Sequence, residues 1–416
     1  MQTCRGRSDI VRSGRSMVAV GAVLVLVLVA WACAGKGTSA RPASSPPASS
    51  PTSVMTLPSI PPTGTSTPPS RRERGVWMLI ASSPLPSSIS APTGAWDGTE
   101  LVVSGRVCTD RAPYRHTVTA AYDPATDSWR MLPPYRGPKG CFEGADHALW
   151  DGHEMLLLGV TNAAYDPSTN SWRRLPGWGG GGGEVNAWTG RQTLTFGGGC
   201  CGDQEGMGSS YVARTNRWTQ PPAGPLVGRH GVVGVWDGHG FVVAGGYHEV
   251  EETTENGTPV RLGPRILLDA AAYDPSTRAW RSLAPMPRLP GVHHVWSRTA
   301  VWDGSEMLVV SAFGNLAYDP ATDRWRLLPD MRFQRGGAGA VWTGTRMLVW
   351  GGATNEGEGA PPYGEAYDPA IDRWLSMPPS PLRHRYPAVV VWTGTQMIIW
   401  GGDMFPDGAT FTPVGS

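Results

Sequence analysis

Trp342-Thr343-Gly344, the apolar run Met347-Leu348-Val349-Trp350 closed by Gly351-Gly352, then Tyr367-Asp368-Pro369 and Trp374 form the stretch that decides the fold. Thr-Gly after a tryptophan reads as a tight turn, and an apolar run without alternation reads as a strand covered on both faces. Tyr-Asp-Pro opens a type I turn in which the aspartate caps and the proline presets φ. The unit is therefore four short strands, and its aspartates are expected to be structural.

Outward from this copy, the tryptophan and turn recur as Trp96-Asp97-Gly98, Trp150-Asp151-Gly152, Trp188-Thr189-Gly190, Trp236-Asp237-Gly238, Trp302-Asp303-Gly304 and Trp392-Thr393-Gly394, making seven copies. Tyr-Asp-Pro returns at Tyr122, Tyr165, Tyr273 and Tyr318, whereas the third copy reads Tyr211-Val212-Ala213-Arg214 and should have a different hairpin. Gly 55 and Pro 39 make up more than a fifth of the 416 residues, a level that signals disorder unless the glycines recur at fixed positions, as they do here.

With its diglycine, Tyr-Asp-Pro and spaced tryptophans, the pattern resembles the kelch repeat at about 49 residues per copy, over nearly all of Val76 to Ser416. The resemblance implies an all-β, seven-bladed kelch-type β-propeller, with six blades as the alternative. Kelch propellers include oxidases, epimerases and pure binding modules, so these motifs specify architecture and say little of function.

The ends of the chain complement each other. Outer-strand tryptophans stand at Trp77, Trp129, Trp172, Trp218, Trp280, Trp325 and Trp374, the first ahead of any complete copy. The last copy stops after Phe411-Thr412-Pro413, where its fourth strand should begin. Trp77 to Ile80 is thus expected to be the outer strand of the C-terminal blade, closing the ring and removing a free sheet edge.

Ahead of the propeller, Arg5, Arg7, Arg12 and Arg15 precede the uncharged run Met17 to Ala32, the order of an export signal. Ala30-Trp31-Ala32-Cys33 satisfies a small-x-small cleavage rule and resembles a lipobox with Cys33 lipidated; an uncleaved anchor and full release are the other readings. Residues 34–75, mostly Ser, Thr, Pro, Ala and Gly as far as Ser70, read as a disordered spacer. The implied location is extracytoplasmic, at the membrane through the N-terminal anchor, with secretion as the alternative. A formal net charge of +1 gives no case for nucleic acid.

In a four-stranded meander, the first-to-second and third-to-fourth turns share one face. All the long insertions fall on the other: Arg106 to Thr117, Pro134 to Asp146, Gly177 to Glu184, Gly199 to Ser210, Tyr247 to Leu268 and Ala353 to Glu365. Function on a rigid scaffold usually sits on such loops. Cys108, Cys141, Cys200 and Cys201 lie there too and should pair outside the cytoplasm, either as Cys108 with Cys141 and a vicinal Cys200-Cys201, or crossed. They lack the paired Cys-x-x-Cys spacing of a zinc site.

The galactose oxidase type of kelch propeller needs two histidines, two tyrosines and a cysteine cross-linked to tyrosine around one copper. Here Tyr247-His248 is the only Tyr-His pair, and the whole set has no match. No nucleophile elbow, phosphate loop or His-Glu-x-x-His occurs, so no catalytic residue, metal or cofactor is assigned. The sharper signal is a shared register: Arg229, Arg335 and Arg385 each stand seven residues before an inner-strand tryptophan, at the insertion-face start of that strand. With His230, His294, His384 and Tyr386 nearby, they are expected to ring the channel mouth and take an acidic group. Some kelch binding modules look similar in using an arginine-lined mouth for acidic peptides. The expected role is a module binding an acidic glycan, a peptide or a cell-envelope protein; a carbohydrate-active enzyme of oxidase or epimerase type is the alternative.

Overall fold

The computed structural model describes residues 72–107, 116–135, 147–159, 161–177, 185–197, 208–253, 259–289, 298–354, 363–403 and 405–414. Cys33, Cys108, Cys141, Cys200, Cys201 and His294 lie outside them. Seven four-stranded antiparallel sheets form the blades of a β-propeller. The inner strands are Ser90–Trp96, His147–Trp150, Val185–Trp188, Val233–Trp236, Thr299–Trp302, Gly339–Trp342 and Val389–Trp392. Each touches its neighbour on either side, and Ser90–Trp96 touches Val389–Trp392, so the ring closes.

The apolar runs are the second strands of the blades. Met155–Leu158, Met307–Val310, Met347–Trp350 and Met397–Trp400 are buried along their whole length. Sheets stacked face to face around a ring leave these strands no solvent side, so no polar alternation is needed. Among the described residues, apolar side chains gather into seven clusters, each between two adjoining blades.

Six outer-strand tryptophans staple this stack. Trp129 donates its indole N–H to the Ala81 carbonyl at 2.8 Å, Trp172 to Pro133 at 2.7 Å, Trp280 to Pro222 at 3.0 Å, Trp325 to Ala284 at 2.8 Å and Trp374 to Pro329 at 2.8 Å. Each acceptor belongs to the preceding blade. The sixth, Trp77, donates to Pro378 of blade six at 3.0 Å although it lies at the far end of the sequence. Its strand, Gly75–Leu79, pairs antiparallel with Gly408–Pro413, Trp77 opposite Phe411, and completes blade seven. The expected closure is present, two residues earlier than Trp77 to Ile80. The domain also reaches back to Glu73, which is buried and accepts from the Arg346 guanidinium at 2.8 Å.

On the short-turn face the aspartates work as read. Asp97 Oδ1 accepts the N–H groups of Thr99 and Glu100, both at 2.7 Å. The Ser276 hydroxyl and N–H hold the Asp274 carboxyl down to about 2. The third copy does differ: a single 3-10 turn, Ala213–Thr215, replaces the Asp-Pro turn, with Asn216 at φ 50° behind it. On the other face, the insertion at Tyr247 to Leu268 contains a two-stranded hairpin, Tyr247–Thr253 with Pro259–Ile266, outside the blade sheets.

Removing Gly75–Leu79 should leave Gly408–Pro413 as an open edge and give aggregation-prone protein. Trp77→Ala, which loses the staple and the packing on Phe411, should cost about 2 to 3 kcal/mol, less than for a fully buried tryptophan. Chemical denaturation of the two variants against the unaltered chain checks both; an unchanged midpoint for the deletion would refute closure.

Candidate functional site on the insertion face

The three arginines that share a register share an environment, and it is not an open mouth. Each guanidinium side chain is fully buried. Nε of each donates to the carbonyl two residues back, Arg229 to Val227 at 2.9 Å, Arg335 to Phe333 at 3.3 Å and Arg385 to Arg383 at 3.1 Å, folding the side chain against its own loop. The fork then reaches a carboxylate at the third strand of the same blade. Arg229 makes two 2.8 Å bonds to Asp269, Arg335 one of 3.0 Å to Glu365, and Arg385 a bidentate pair to Asp407. None of the three is therefore an unpaired charge available to an acidic group, because each is neutralised within its blade. The acids were not singled out in the sequence. Asp269 and Asp407 stand four residues before Tyr273 and Phe411, while Glu365 stands two before Tyr367, so no common spacing marks them.

The neighbouring residues divide between blades. His230 pairs through its backbone with Tyr247, N to O at 2.8 and 2.7 Å, with the two rings 5.5 Å apart. The His248 ring nitrogen Nδ1 lies 3.2 Å from the Gly228 carbonyl oxygen. His384 Nε2 contacts the Gly352 carbonyl oxygen and so belongs to the packing of blades six and seven. Among the described ones Tyr386 has the exposed side chain, 41 % accessible.

Tyr386 also lines a recess among the described residues. Between blades seven and one, a cavity of about 280 Å³ is walled by Ile89, Tyr386, Trp400, Asp403 and Phe405. Gly402 makes it possible: at φ +106° it passes beneath the Tyr386 carbonyl, where a Cβ would come within 1.9 Å of the oxygen. That close approach holds Asp403 against the Tyr386 N–H, which its carboxylate accepts at 3.0 Å. The Arg385 guanidinium lies 4.6 Å from the Phe405 ring centre, and the exposed Arg383 lies 5.9 Å from it. The recess thus offers three aromatic walls and one carboxylate acceptor, with an exposed guanidinium beside Phe405. The missed residues lie in Asp403-Met404-Phe405-Pro406-Asp407, a connection too short to stand out as an insertion.

Among the described residues no three His, Cys, Asp or Glu side chains are grouped to hold a metal ion. No family model matches the chain, and no curated protein matches it. Among solved structures it is similar to a fungal copper alcohol oxidase of the AA5 family, with 13% identity and a TM-score of 0.53 over 82% of this chain and 76% of that one. The likeness is one of fold: the described residues do not supply a site that fits copper.

The ion pairs should separate by burial. Glu365 is 2% exposed, whereas the Asp269 and Asp407 side chains are 48% and 52% exposed. Arg335→Met strands a buried carboxylate and should cost about 3–5 kcal/mol, most of it recovered in Arg335→Met/Glu365→Leu. Hydrogen bonds from Arg229 and Arg385 hold the Asp269 and Asp407 carboxyls below their usual range. A depressed carboxyl stabilises the fold fully above its unfolded value, near about 3.9, and loses that contribution as pH falls through the folded value. Melting curves of Asp269→Asn/Asp407→Asn should therefore fall below wild type at neutral pH and converge with it in acid; a constant gap would contradict the pairing.

Proposed function

We propose that the chain is an exported, membrane-tethered kelch-type propeller that binds a glycan on its insertion face, in the recess between blades seven and one. The observation that carries this is the composition of that recess. Tyr386 and Phe405 line it with aromatic rings, Asp403 supplies a carboxylate that can accept hydroxyl groups, and Arg383 stands exposed beside Phe405. Aromatic faces with a few placed polar groups suit a hydroxylated ring, and a rim guanidinium favours one bearing a carboxylate. The acidic ligand expected from the sequence is thus retained, with Arg383 rather than the three buried arginines as its partner. Residues 1–33 supply the export signal, with Cys33 as the lipid attachment point, and the spacer runs from residue 34 to the start of the propeller, which lies before Glu73 and not at Val76. In an oxidising compartment the four propeller cysteines would pair, as Cys108 with Cys141 and Cys200 with Cys201, or crossed.

A glycan array probed with the purified chain should yield acidic oligosaccharides. Tyr386→Ala and Arg383→Ala should each weaken a hit about tenfold or more without lowering the melting temperature, since both side chains are exposed. Asp403→Asn keeps the left-handed backbone that asparagine tolerates and should weaken neutral and acidic sugars alike. The enzyme reading, favoured by the fold shared with a copper alcohol oxidase, predicts stoichiometric copper in the purified protein and oxidation of an alcohol. That result, with an empty array, would replace the proposal. Non-reducing peptide mapping should recover the two disulfides, and four free thiols would argue against export.

A further inference from the structure

On the opposite, short-turn face, blades two and three part around a groove of about 990 Å³, within the range of small-molecule sites. Two departures from the repeat create it. The apolar cluster between these blades is the sparsest of the seven among the described residues. The 3-10 turn Ala213–Thr215 stands where other blades carry Asp-Pro.

The groove holds an unbalanced set of charges. Asp151 keeps the turn role of its counterparts, its Oδ1 accepting the N–H groups of His153 at 3.0 Å and Glu154 at 2.7 Å. Asp97, Asp237 and Asp303 in the same turn position are part-exposed, but Asp151 is 5% exposed, and its Oδ2 is buried with no donor. The adjoining ions are already satisfied. Arg173 binds Glu154 at 2.7 Å, Asn216 Oδ1 at 2.9 Å and the Tyr211 hydroxyl at 2.9 Å. The Trp188 indole stands beside this turn, since a Cβ on Gly152 would lie 3.8 Å from its Nε1. Arg191 and Arg214 are exposed at the rim, and neither has a carboxylate partner among the described residues.

We infer that this groove binds a small zwitterion, with its ammonium group on Asp151 and Trp188 and its carboxylate or phosphate on Arg191 and Arg214. An ammonium, quaternary or not, supplies both the counter-charge that a buried carboxylate lacks and the cation that an indole face attracts. A plain cation would meet two guanidinium groups on its way in. A plain anion would face Asp151, and a neutral sugar would leave the rim charges unused. This site is independent of the recess between blades seven and one.

Titration calorimetry on the full chain with phosphocholine, glycine betaine, choline and inorganic phosphate tests it. Both zwitterions should bind saturably, about tenfold or more tighter than choline or phosphate alone. Asp151→Asn keeps the Oδ1 turn cap and should abolish zwitterion binding without lowering the melting temperature. Arg191→Ala/Arg214→Ala should bring the zwitterions down to the level of choline. Vesicles of phosphatidylcholine distinguish a lipid headgroup from a free solute: cosedimentation blocked by soluble phosphocholine assigns the lipid, and binding of the soluble probes alone assigns the solute. Equal affinity for choline and the zwitterions, no saturable binding of any probe, or unchanged binding by Asp151→Asn would overturn the assignment.

Discussion

The propeller depends on the indole N–H groups of six outer-strand tryptophans, each of which finds an acceptor in the blade before it. A sheet covered on both faces has no solvent-facing surface to set its angle to the next, and apolar contact alone has little direction. One such hydrogen bond at each of six interfaces, worth about 1 kcal/mol, is small beside the apolar burial. It is directional, however, and it fixes how far each outer strand leans on its neighbour. The acceptors are often prolines, such as Pro133, Pro222, Pro329 and Pro378, residues that leave a sheet and have no N–H of their own. The strand end and the acceptor are therefore the same feature.

This regularity made the architecture legible. Turn pairs after tryptophan, unbroken apolar second strands and Tyr-Asp-Pro are local, and each has a single physical reading. The closing strand could be read because a surplus tryptophan at one end matched a missing strand at the other. The arginine register was equally visible, but its meaning was not. Arg229, Arg335 and Arg385 look alike before the tryptophan, while the acids that neutralise them come after a connection of variable length, near Tyr247 in one blade and Met404 in another. Burial across such a connection has no signature in spacing.

Repeat and departure contribute differently to the two recesses. Gly402 lies under the Tyr386 carbonyl as Gly246 lies under that of His230 and Gly352 under that of Gly336, so the first recess is bordered by a feature of the repeat, whereas the altered hairpin at Ala213 borders the second. In the second, an aspartate that is structural in other copies is left with unused bonding capacity. Asp151 is the same aspartate that caps turns in three other blades, and its burial alone sets it apart.

The pairing of Gly75–Leu79 with Gly408–Pro413 has a consequence for the order in which the domain can be made. The propeller's first strand is the one used last, because its partner is the last strand of the domain to be synthesised. Until then Trp77 has no Phe411 beneath it, and blade seven cannot exist. Contacts of such sequence separation are slow to form, and an incomplete sheet edge invites wrong partners in the interval. A chain cut short by even its last few residues therefore loses its first strand as well as its last.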